Sequence, residues 1–395
     1  MNLTPTSKRV HIAFFGRCNS GKSSLINALT GQEVAIVSSV AGTTTDPVSK
    51  PIELPGVGAT ILIDTPGLDD NTILGEQRKA QTLKTLNKTD IAVVLFNDID
   101  TSVEEALIEQ LKAREISIIG VISKCEEWQD ISSFSSKIAE TFNIQPIALS
   151  ASTGKGLNLL LTQLATLSHQ EPRLITEGLC NSGDMVVLVM PQDAQAPKGR
   201  LIKPQVEVIR ELLDRGCNTL CTTPEGLKAS LNTLNAPPQL IITDSQVFAS
   251  VNTVVEDMGN NTPITSFSIL FARYKGDINT FIEGAKKLQT LSPSSRILIA
   301  EACSHIPQNE DIGRVKLPRM LRNRIGEGLH IDIVGGNDFP TDLSQYDLVI
   351  HCGACMFNRR HVMSRVAQAK AQNVAITNYG IALATLTGII EKVVY

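Results

Sequence analysis

Eight residues near the start of the chain have the types and the spacing of a phosphate-binding loop. Residues 16–23 read Gly-Arg-Cys-Asn-Ser-Gly-Lys-Ser, between a predicted strand at Val10–Phe15 and a predicted helix over residues 22 to 30. The glycines at positions 16 and 21 would let the backbone wrap closely around phosphate oxygens. The N–H groups of the loop and of the helix N-terminus favour an anion. This is the P-loop pattern in the strand–loop–helix context that its mechanism requires.

A second motif supplies the acidic group that such a loop needs. Residues 64–67 read Asp-Thr-Pro-Gly at the end of another predicted strand. We expect Lys22 to reach the β- and γ-phosphates of a nucleotide and the Ser23 hydroxyl to bind Mg²⁺. Asp64 would hold the Mg²⁺ shell, and the N–H of Gly67 would sense the γ-phosphate.

The base is expected to contact residues 123–126, which read Ser-Lys-Cys-Glu after the predicted strand Ile116–Ile122. GTPases usually carry Asn-Lys-x-Asp here, and the Asp accepts two hydrogen bonds from guanine. Lys124 fits, whereas Glu126 keeps the carboxylate with one more methylene group. The Ser-Ala-Ser run at residues 150–152 matches the usual final guanine element. We predict GTP as the nucleotide, with weakened guanine affinity or selectivity left open.

A hydroxyl-rich segment at residues 41–46, Ala-Gly-Thr-Thr-Thr-Asp, suits a switch loop that closes on the nucleotide; a plain surface loop is the alternative. Together with residues 16–24 and 64–67, it resembles the TrmE–Era family of GTPases. The resemblance implies that Thr44 contacts Mg²⁺ and that Asn19 helps to bind K⁺ beside the phosphates. We therefore predict slow hydrolysis that K⁺ accelerates.

Leu68 stands where Ras-type enzymes carry a water-orienting Gln, so another group must assist hydrolysis. In some relatives it is a Glu at a position comparable to Glu76, which could equally be an exposed helix residue. Lys22, Thr44, Asp64, Gly67 and Glu76 are thus the candidate catalytic residues. The expected contacts to nucleotide and its ions are Gly16, Asn19, Ser20, Gly21, Lys22, Ser23, Ser24, Thr43, Thr44, Asp64, Gly67, Lys124, Glu126, Ser150 and Ala151.

Cysteine and histidine cluster in two places near the end of the chain. Residues 303–305 read Cys-Ser-His after the predicted strand Arg296–Ala300, and residues 351–355 read His-Cys-Gly-Ala-Cys after the predicted strand Asp347–Ile350. Open α/β sheets bind ligands at the carboxyl ends of their strands, so we expect the two groups to meet. Three thiolates with nearby imidazoles suit either zinc or an iron–sulfur cluster. Buried unliganded thiols are the alternative, and it is the one that we favour for Cys217 and Cys221.

The order of these motifs, with segments 191–205 and 265–276, resembles the FeFe-hydrogenase maturation GTPases of the HydF family over essentially the whole chain. The resemblance implies a GTPase domain, a dimerisation domain and a C-terminal domain with a 4Fe–4S cluster. Its ligands would be Cys303, Cys352 and Cys355, with His305 and His351 as candidates for the fourth position or for supporting contacts, and Glu301 as a weaker candidate. The implied role is to carry a di-iron precursor to the hydrogenase. The implied partners are that hydrogenase and the radical-SAM maturases that build its di-iron centre, and the chain would form a homodimer.

The length of the chain and its hydrophobic pattern predict the domains that carry these sites. The 395 residues alternate short apolar runs with helical patterns, which predicts three consecutive α/β domains with mainly parallel sheets, the first a P-loop GTPase fold. We place them at residues 1–170, 180–260 and 264–395, and the third is expected to open with a strand at Ser266–Phe271.

Composition narrows the function. The net charge of −4 argues against a nucleic-acid partner, and no apolar run reaches the roughly 18–20 residues that span a membrane. The polar N-terminus predicts the cytoplasm. Two rival functions remain open: a tRNA- or ribosome-directed GTPase with an accessory zinc domain, and a metal-storage or redox module.

Overall fold

The computed structural model of the chain describes residues 4–31, 48–69, 81–82, 84–168, 173–192, 199–302 and 311–395. These residues fall into two units, Met1–Pro172 and Arg173–Tyr395. The predicted switch segment at 41–46, the candidate Glu76, and residues 303–305 lie outside the described residues. Within the described parts, none of the helices is both long and apolar enough to cross a membrane.

The first unit is built on one six-stranded sheet with the strand order β2-β3-β1-β4-β5-β6. All neighbouring strands are parallel except β2, which pairs with β3 in the antiparallel sense. The strands are β1 Val10–Gly16, β2 Val48–Leu54, β3 Gly58–Asp64, β4 Ile91–Phe96, β5 Ser117–Ile122 and β6 Ile147–Ala148, and the helices are α1 Lys22–Thr30, α2 Ser102–Ala113, α3 Ile131–Phe142 and α4 Leu157–Ser168.

Apolar clusters cover both faces of this sheet. Along β1, Ala13 and Phe15 join one cluster, while Ile12 and Phe14 join the other. A strand buried on both faces reads as a continuous apolar run, which is why β1, β4 and β5 stand out in the sequence. The first unit has the doubly covered parallel sheet of a P-loop GTPase fold, as predicted.

The second unit contains two four-stranded parallel sheets with the orders β10-β9-β7-β8 and β12-β11-β13-β14. The strands are β7 Met185–Val189, β8 Asn218–Thr222, β9 Leu240–Thr243, β10 Ile264–Ser266, β11 Arg296–Ala300, β12 His330–Val334, β13 Leu348–His351 and β14 Ala375–Asn378. The helices are α5 Lys203–Asp214, α6 Leu227–Asn232, α7 Phe248–Asp257, α8 Phe267–Lys275, α9 Ile278–Lys286, α10 Leu317–Ile325, α11 Arg359–Ala371 and α12 Tyr379–Leu386. Three mostly parallel sheets confirm the predicted fold class, and the domain bounds given above stay a prediction.

Two predictions about the second unit are wrong. The expected strand at Ser266–Phe271 is instead the helix α8, because the Ser266 hydroxyl accepts from the Ile269 N–H at 3.3 Å and caps a new helix. The apolar run then supplies a buried helical face, and of the predicted strand only Ser266 lies in β10, which pairs with β9. Cys217 is buried as expected, but Cys221 is exposed, because it lies on a strand at the edge of its sheet.

Candidate functional sites

The glycine loop joins β1 to α1 with the backbone of a phosphate-binding loop. Gly16 has a φ of 156°, and Gly21 precedes α1 with a φ of 91°. A Cβ atom at position 16 would lie 2.7 Å from the Ser20 hydroxyl and 2.9 Å from the Leu95 carbonyl oxygen, so only glycine fits. Asn19, the residue assigned to K⁺, is exposed and has a left-handed backbone with a φ of 57°. The fully buried Ser20 Oγ has no hydrogen-bond partner among the described residues.

Lys22 is buried at the start of α1. Its Nζ donates to the carbonyl oxygens of Gly16 at 3.0 Å and Arg17 at 2.7 Å. Burial lowers the pKa of Lys22, and the charge of Asp64 opposes that shift. The loop therefore carries its positive charge among its own backbone groups, where a phosphate oxygen would be stabilised.

The predicted Mg²⁺ ligands Ser23 and Asp64 lie side by side. Ser23 Oγ donates to Asp64 Oδ2 at 2.6 Å. The second carboxylate oxygen, Oδ1, is buried and has no hydrogen-bond partner in the described part of the chain. Burial raises the pKa of Asp64, and the bond from Ser23 and the charge of Lys22 act against it. A hydroxyl beside an unsatisfied carboxylate oxygen fits a hard cation such as Mg²⁺. Of the other candidates for this site, Thr43 and Thr44 lie outside the described residues, and Ser24 is exposed.

The segment that ends in Gly67 packs directly on the glycine loop. A Cβ atom on Gly67 would lie 2.3 Å from Cys18 Sγ and 2.8 Å from the Cys18 nitrogen. The Cys18 N–H donates to Asp69 Oδ1 at 2.7 Å, and the Leu68 N–H donates to the Gly16 carbonyl at 3.2 Å. Burial acts to raise the pKa of Asp69, but hydrogen bonds from Cys18 outweigh it and lower the pKa overall. Sequence analysis missed Asp69, and its place two residues after Gly67 was the available signal.

The two elements assigned to the base meet at Glu126. Its carboxylate accepts a bond from Ser152 Oγ at 2.8 Å, and Ser150 Oγ lies 3.0 Å from Ser152 Oγ, with Ala151 between these serines in the chain. A hydrogen bond from its own backbone N–H, with bonds from the two serines, lowers the pKa of Glu126. Lys124 has a left-handed φ of 50° and is half-exposed. Glu126 and the serines of residues 150–152 thus lie together, and their contact with guanine stays a prediction.

Cys352 follows β13, and its sulfur contacts the chain that leaves β11. Cys352 Sγ accepts the backbone N–H groups of Ala302 at 3.0 Å and Ala354 at 3.4 Å. The Cys352 N–H donates to the Ala300 carbonyl at 2.9 Å. Donors aimed at one sulfur favour a thiolate and are common around iron–sulfur clusters. Cys355, three residues further along, is half-buried.

His351 is buried at the end of β13, and both of its ring nitrogens are engaged. Nδ1 lies 2.8 Å from the Cys352 carbonyl oxygen, and Nε2 lies 3.0 Å from Arg365 Nη1. Because a guanidinium group only donates, Nε2 accepts and Nδ1 carries the proton. Burial, followed by the charge of Arg365, lowers the pKa of His351 to about 3. Neutral His351 therefore links Arg365 to residues 352–358, which follow β13 and are called the cysteine loop below. The role of His351 as a metal ligand stays a prediction.

Lys275, the last residue of α8, donates hydrogen bonds to the same loop. Only 1% of its surface is exposed, and its Nζ donates to the carbonyl oxygens of Ala354 at 2.8 Å and Phe357 at 3.0 Å. These carbonyls flank Cys355 in the chain. Sequence analysis missed Lys275 and Arg365, because nothing in their local sequence indicates partners that are distant along the chain.

The remaining candidates of the cysteine site are placed as follows. Glu301 is buried and accepts from Arg314 Nε at 2.9 Å, while Tyr379 OH lies 3.4 Å from its other oxygen. Cys303 and His305 lie outside the described residues. Among the residues that are described, no group of three or more His, Cys, Asp or Glu side chains is arranged to hold a metal.

Comparisons with known proteins agree with the division into a nucleotide part and a second part. Residues 11–124 match the model of a 50S ribosome-binding GTPase. Residues 175–276 match the hydrogen maturase F dimerization domain, and residues 279–395 match the hydrogen maturase F tetramerization domain.

Individual relatives match part of the chain. The tRNA modification GTPase MnmE of Xanthomonas oryzae pv. oryzae is 34% identical over 160 residues, which are 40% of this chain and 34% of that protein. The chain thus spans about a third of the length of the curated relatives it matches. A solved structure of Era with MgGDPNP and part of 16S ribosomal RNA is 20% identical and covers 55% of this chain and 92% of that one, with a TM-score of 0.38. The G domain of the T. maritima FeoB iron transporter is 24% identical and covers 41% of this chain and 99% of that one, with a TM-score of 0.32.

The first unit is therefore a GTPase domain, whose nucleotide is GTP and whose metal is Mg²⁺. The two hydrogen maturase F models cover almost the whole of the second unit and describe domains of self-association, so oligomerisation belongs to this chain. With both models in their order behind a GTPase domain, the chain belongs to the hydrogen maturase F family.

Proposed function

We propose that the chain is a GTP-hydrolysing scaffold and carrier in the assembly of the FeFe-hydrogenase active site. It would hold a 4Fe–4S cluster and a di-iron precursor and would deliver the precursor to the hydrogenase. Membership in the hydrogen maturase F family supports the role, and the surroundings of Cys352 support the cluster.

The nucleotide part of the proposal assigns a task to each group of the glycine loop. Lys22 and the loop N–H groups would bind the phosphates, and Ser23 and Asp64 would hold Mg²⁺, which neutralises the charge that develops on them. Glu126 would accept hydrogen bonds from guanine. Asn19 would bind K⁺, and hydrolysis would accordingly be faster in K⁺ than in Na⁺.

The cluster part rests on one observation: the Ala302 N–H donates to Cys352 Sγ at 3.0 Å. Ala302 directly precedes Cys303, and neighbouring Cα atoms are only about 3.8 Å apart. The chain that leads to position 303 therefore contacts Cys352 Sγ at Ala302. We assign Cys303, Cys352 and Cys355 as three ligands of the cluster, which leaves one iron with an exchangeable position.

The proposed organisation keeps the three domains at residues 1–170, 180–260 and 264–395. The middle domain would form a homodimer, and the partners would be the hydrogenase and the radical-SAM maturases that build its di-iron centre. The work would take place in the cytoplasm, without nucleic acid or membrane.

Anaerobic reconstitution with iron and sulfide tests the proposal. Iron, sulfide and zinc are measured and EPR spectra are recorded on the wild-type protein, on Cys352→Ala and on the control Cys221→Ala, which removes an exposed thiol outside the site. We expect about four iron and four sulfide per chain in the wild type and in the control. The Cys352→Ala variant should lose most of both. Stoichiometric zinc without sulfide in the wild type would overturn the maturation role.

A second candidate function comes from the MnmE relatives, whose name assigns them to tRNA modification. On that reading, the chain is a tRNA- or ribosome-directed GTPase, and its cysteines hold an accessory zinc. Gel-shift titration with tRNA and with ribosomal subunits at about 0.15 M salt separates the two functions, because ionic contacts to phosphate are weakened there. Tight, nucleotide-dependent RNA binding together with bound zinc would favour this second function.

A further inference from the structure

A buried arginine lies beside the cysteine loop of the second unit. Arg365, on α11, is only 2% exposed. Its guanidinium carbon lies 4.6 Å from the centre of the Phe339 ring and 4.7 Å from the centre of the Phe357 ring. The side chain is therefore packed against two aromatic rings.

Within the described residues, both hydrogen bonds of Arg365 go to neutral groups. Nη1 donates to His351 Nε2 at 3.0 Å, and Nη2 donates to the carbonyl oxygen of Gly336. Nε is buried and has no hydrogen-bond partner in the described residues. No carboxylate is among the contacts of Arg365 that the structure describes, although a buried cation normally requires an opposite charge.

The residue that links Arg365 to Cys352 is His351. A guanidinium group stays protonated in folded proteins, so Arg365 carries a positive charge at neutral pH. His351, which donates to the Cys352 carbonyl and accepts from Arg365, holds the guanidinium group at a set place relative to that loop.

We propose that Arg365 supplies the fixed positive charge that stabilises the anionic, thiolate-bound cluster and raises its reduction potential. This inference rests on the function proposed above, because it needs a cluster at Cys352. Reduction adds one electron, hence one negative charge, to the cluster. A buried positive charge favours that step because the surrounding protein screens it poorly.

The test is the midpoint potential of the reconstituted cluster, measured by redox titration with EPR. R365Q removes the charge, and R365K keeps the charge but loses the planar fork. R296Q is the control. Arg296 is the first residue of β11 and pairs with Asp332, and it lies at the end of the strand that is farther from Ala302. Iron and sulfide content and the circular dichroism of the cluster-free protein are recorded for every variant.

In R365Q, we expect the equilibrium constant for reduction to fall tenfold or more, which is a negative shift of about 59 mV or more for a one-electron couple. R365K and R296Q should keep the potential of the wild type. An unchanged potential in R365Q, or equal shifts in R365Q and R365K, would overturn the inference. If R365Q does not fold, R365K decides alone, because a negative shift of about 59 mV with the charge retained contradicts an electrostatic role. A wild-type protein that binds no cluster would instead contradict the proposed function.

Discussion

Replacement of Lys275 by methionine is the sharpest test of how the second unit supports its cysteine loop. The ammonium group donates to two carbonyl oxygens, at 2.8 Å and 3.0 Å, that flank Cys355. Methionine fills a similar volume and removes both donors. The variant K275M therefore separates the hydrogen bonds of the lysine from its packing against Phe271, whose ring centre lies 5.3 Å from Nζ.

The expected loss follows from the two bonds. A hydrogen bond to a charged group contributes roughly 1.5–3 kcal/mol, and a buried carbonyl left without a donor adds to the cost. Methionine does not have to be stripped of water as an ammonium group does, which offsets part of the loss. We expect K275M to lower the free energy of unfolding of the second unit by about 2–4 kcal/mol.

The aromatic residues allow the two units to be followed separately. The chain has one tryptophan, Trp128, in the first unit, and its four tyrosines, at positions 274, 346, 379 and 395, all lie in the second. Urea unfolding followed by Trp128 fluorescence should be unchanged in K275M, whereas the near-UV tyrosine signal should be lost at lower urea. The control K286M removes an exposed ion pair with Glu283 and should shift the second transition by less than about 0.5 kcal/mol.

A second readout reports on the loop itself. Without its brace, the segment that contains Cys355 should open more often, so alkylation of Cys355 in the cluster-free protein should be faster than in the wild type. Identical urea midpoints and identical alkylation rates in K275M and the wild type would refute the reasoning. Lys275 would then be a buried residue that does not stabilise the loop.

Three further predictions concern single side chains. Replacing Asn19 by alanine should abolish the difference between hydrolysis rates in K⁺ and in Na⁺ with little effect on GTP binding, and a retained difference would remove Asn19 from the K⁺ site. Replacing Glu126 by alanine should lower the preference for GTP over ATP by about 10- to 100-fold, since charged hydrogen bonds of roughly 1.5–3 kcal/mol are lost, and unchanged competition by ATP would refute this. Asp277 caps α9 through the Thr280 N–H and contacts Lys370, and its bond from the Thr280 hydroxyl lowers its pKa to about 2. A pKa that folding lowers stabilises the folded state above the unfolded pKa, and this stabilisation is lost as pH falls towards 2. D277A should therefore lower the free energy of unfolding by about 1 kcal/mol at pH 7, and progressively less below pH 4, in urea titrations. A difference independent of pH would contradict it.

The glycine loop was predictable from the sequence because its geometry is determined locally. The predicted helix over residues 22–30 coincides with α1, which is followed by Gly31 with a φ of 61°. The predicted strand before it differs by one residue. Each feature depends on the conformational needs of neighbouring residues, such as the left-handed glycines that begin and end α1.

The helix α8 shows where local reasoning failed. The run Ser266–Phe271 is apolar and rich in aromatic residues, and a run of that length suits a strand or a buried helix equally well. The decisive feature is the hydroxyl of Ser266, which caps the helix, together with packing that a sequence does not reveal. Lys275, at the end of α8, was missed for the same reason: its role depends on a loop that lies far along the chain.

Both candidate sites contain buried polar atoms without hydrogen-bond partners among the described residues, a feature that several other positions of the chain share. These atoms are Asp64 Oδ1 and Ser20 Oγ in the first unit and Arg365 Nε in the second. Unsatisfied buried polar groups are costly, and a ligand that supplies the missing contact is one reason for a chain to retain them. At Asp64 the missing contact has the chemistry of a cation, and at Arg365 it has the chemistry of an anion. The function proposed above requires Mg²⁺ with nucleotide at one site and a thiolate-bound cluster at the other, and the signs of these unsatisfied groups agree with it.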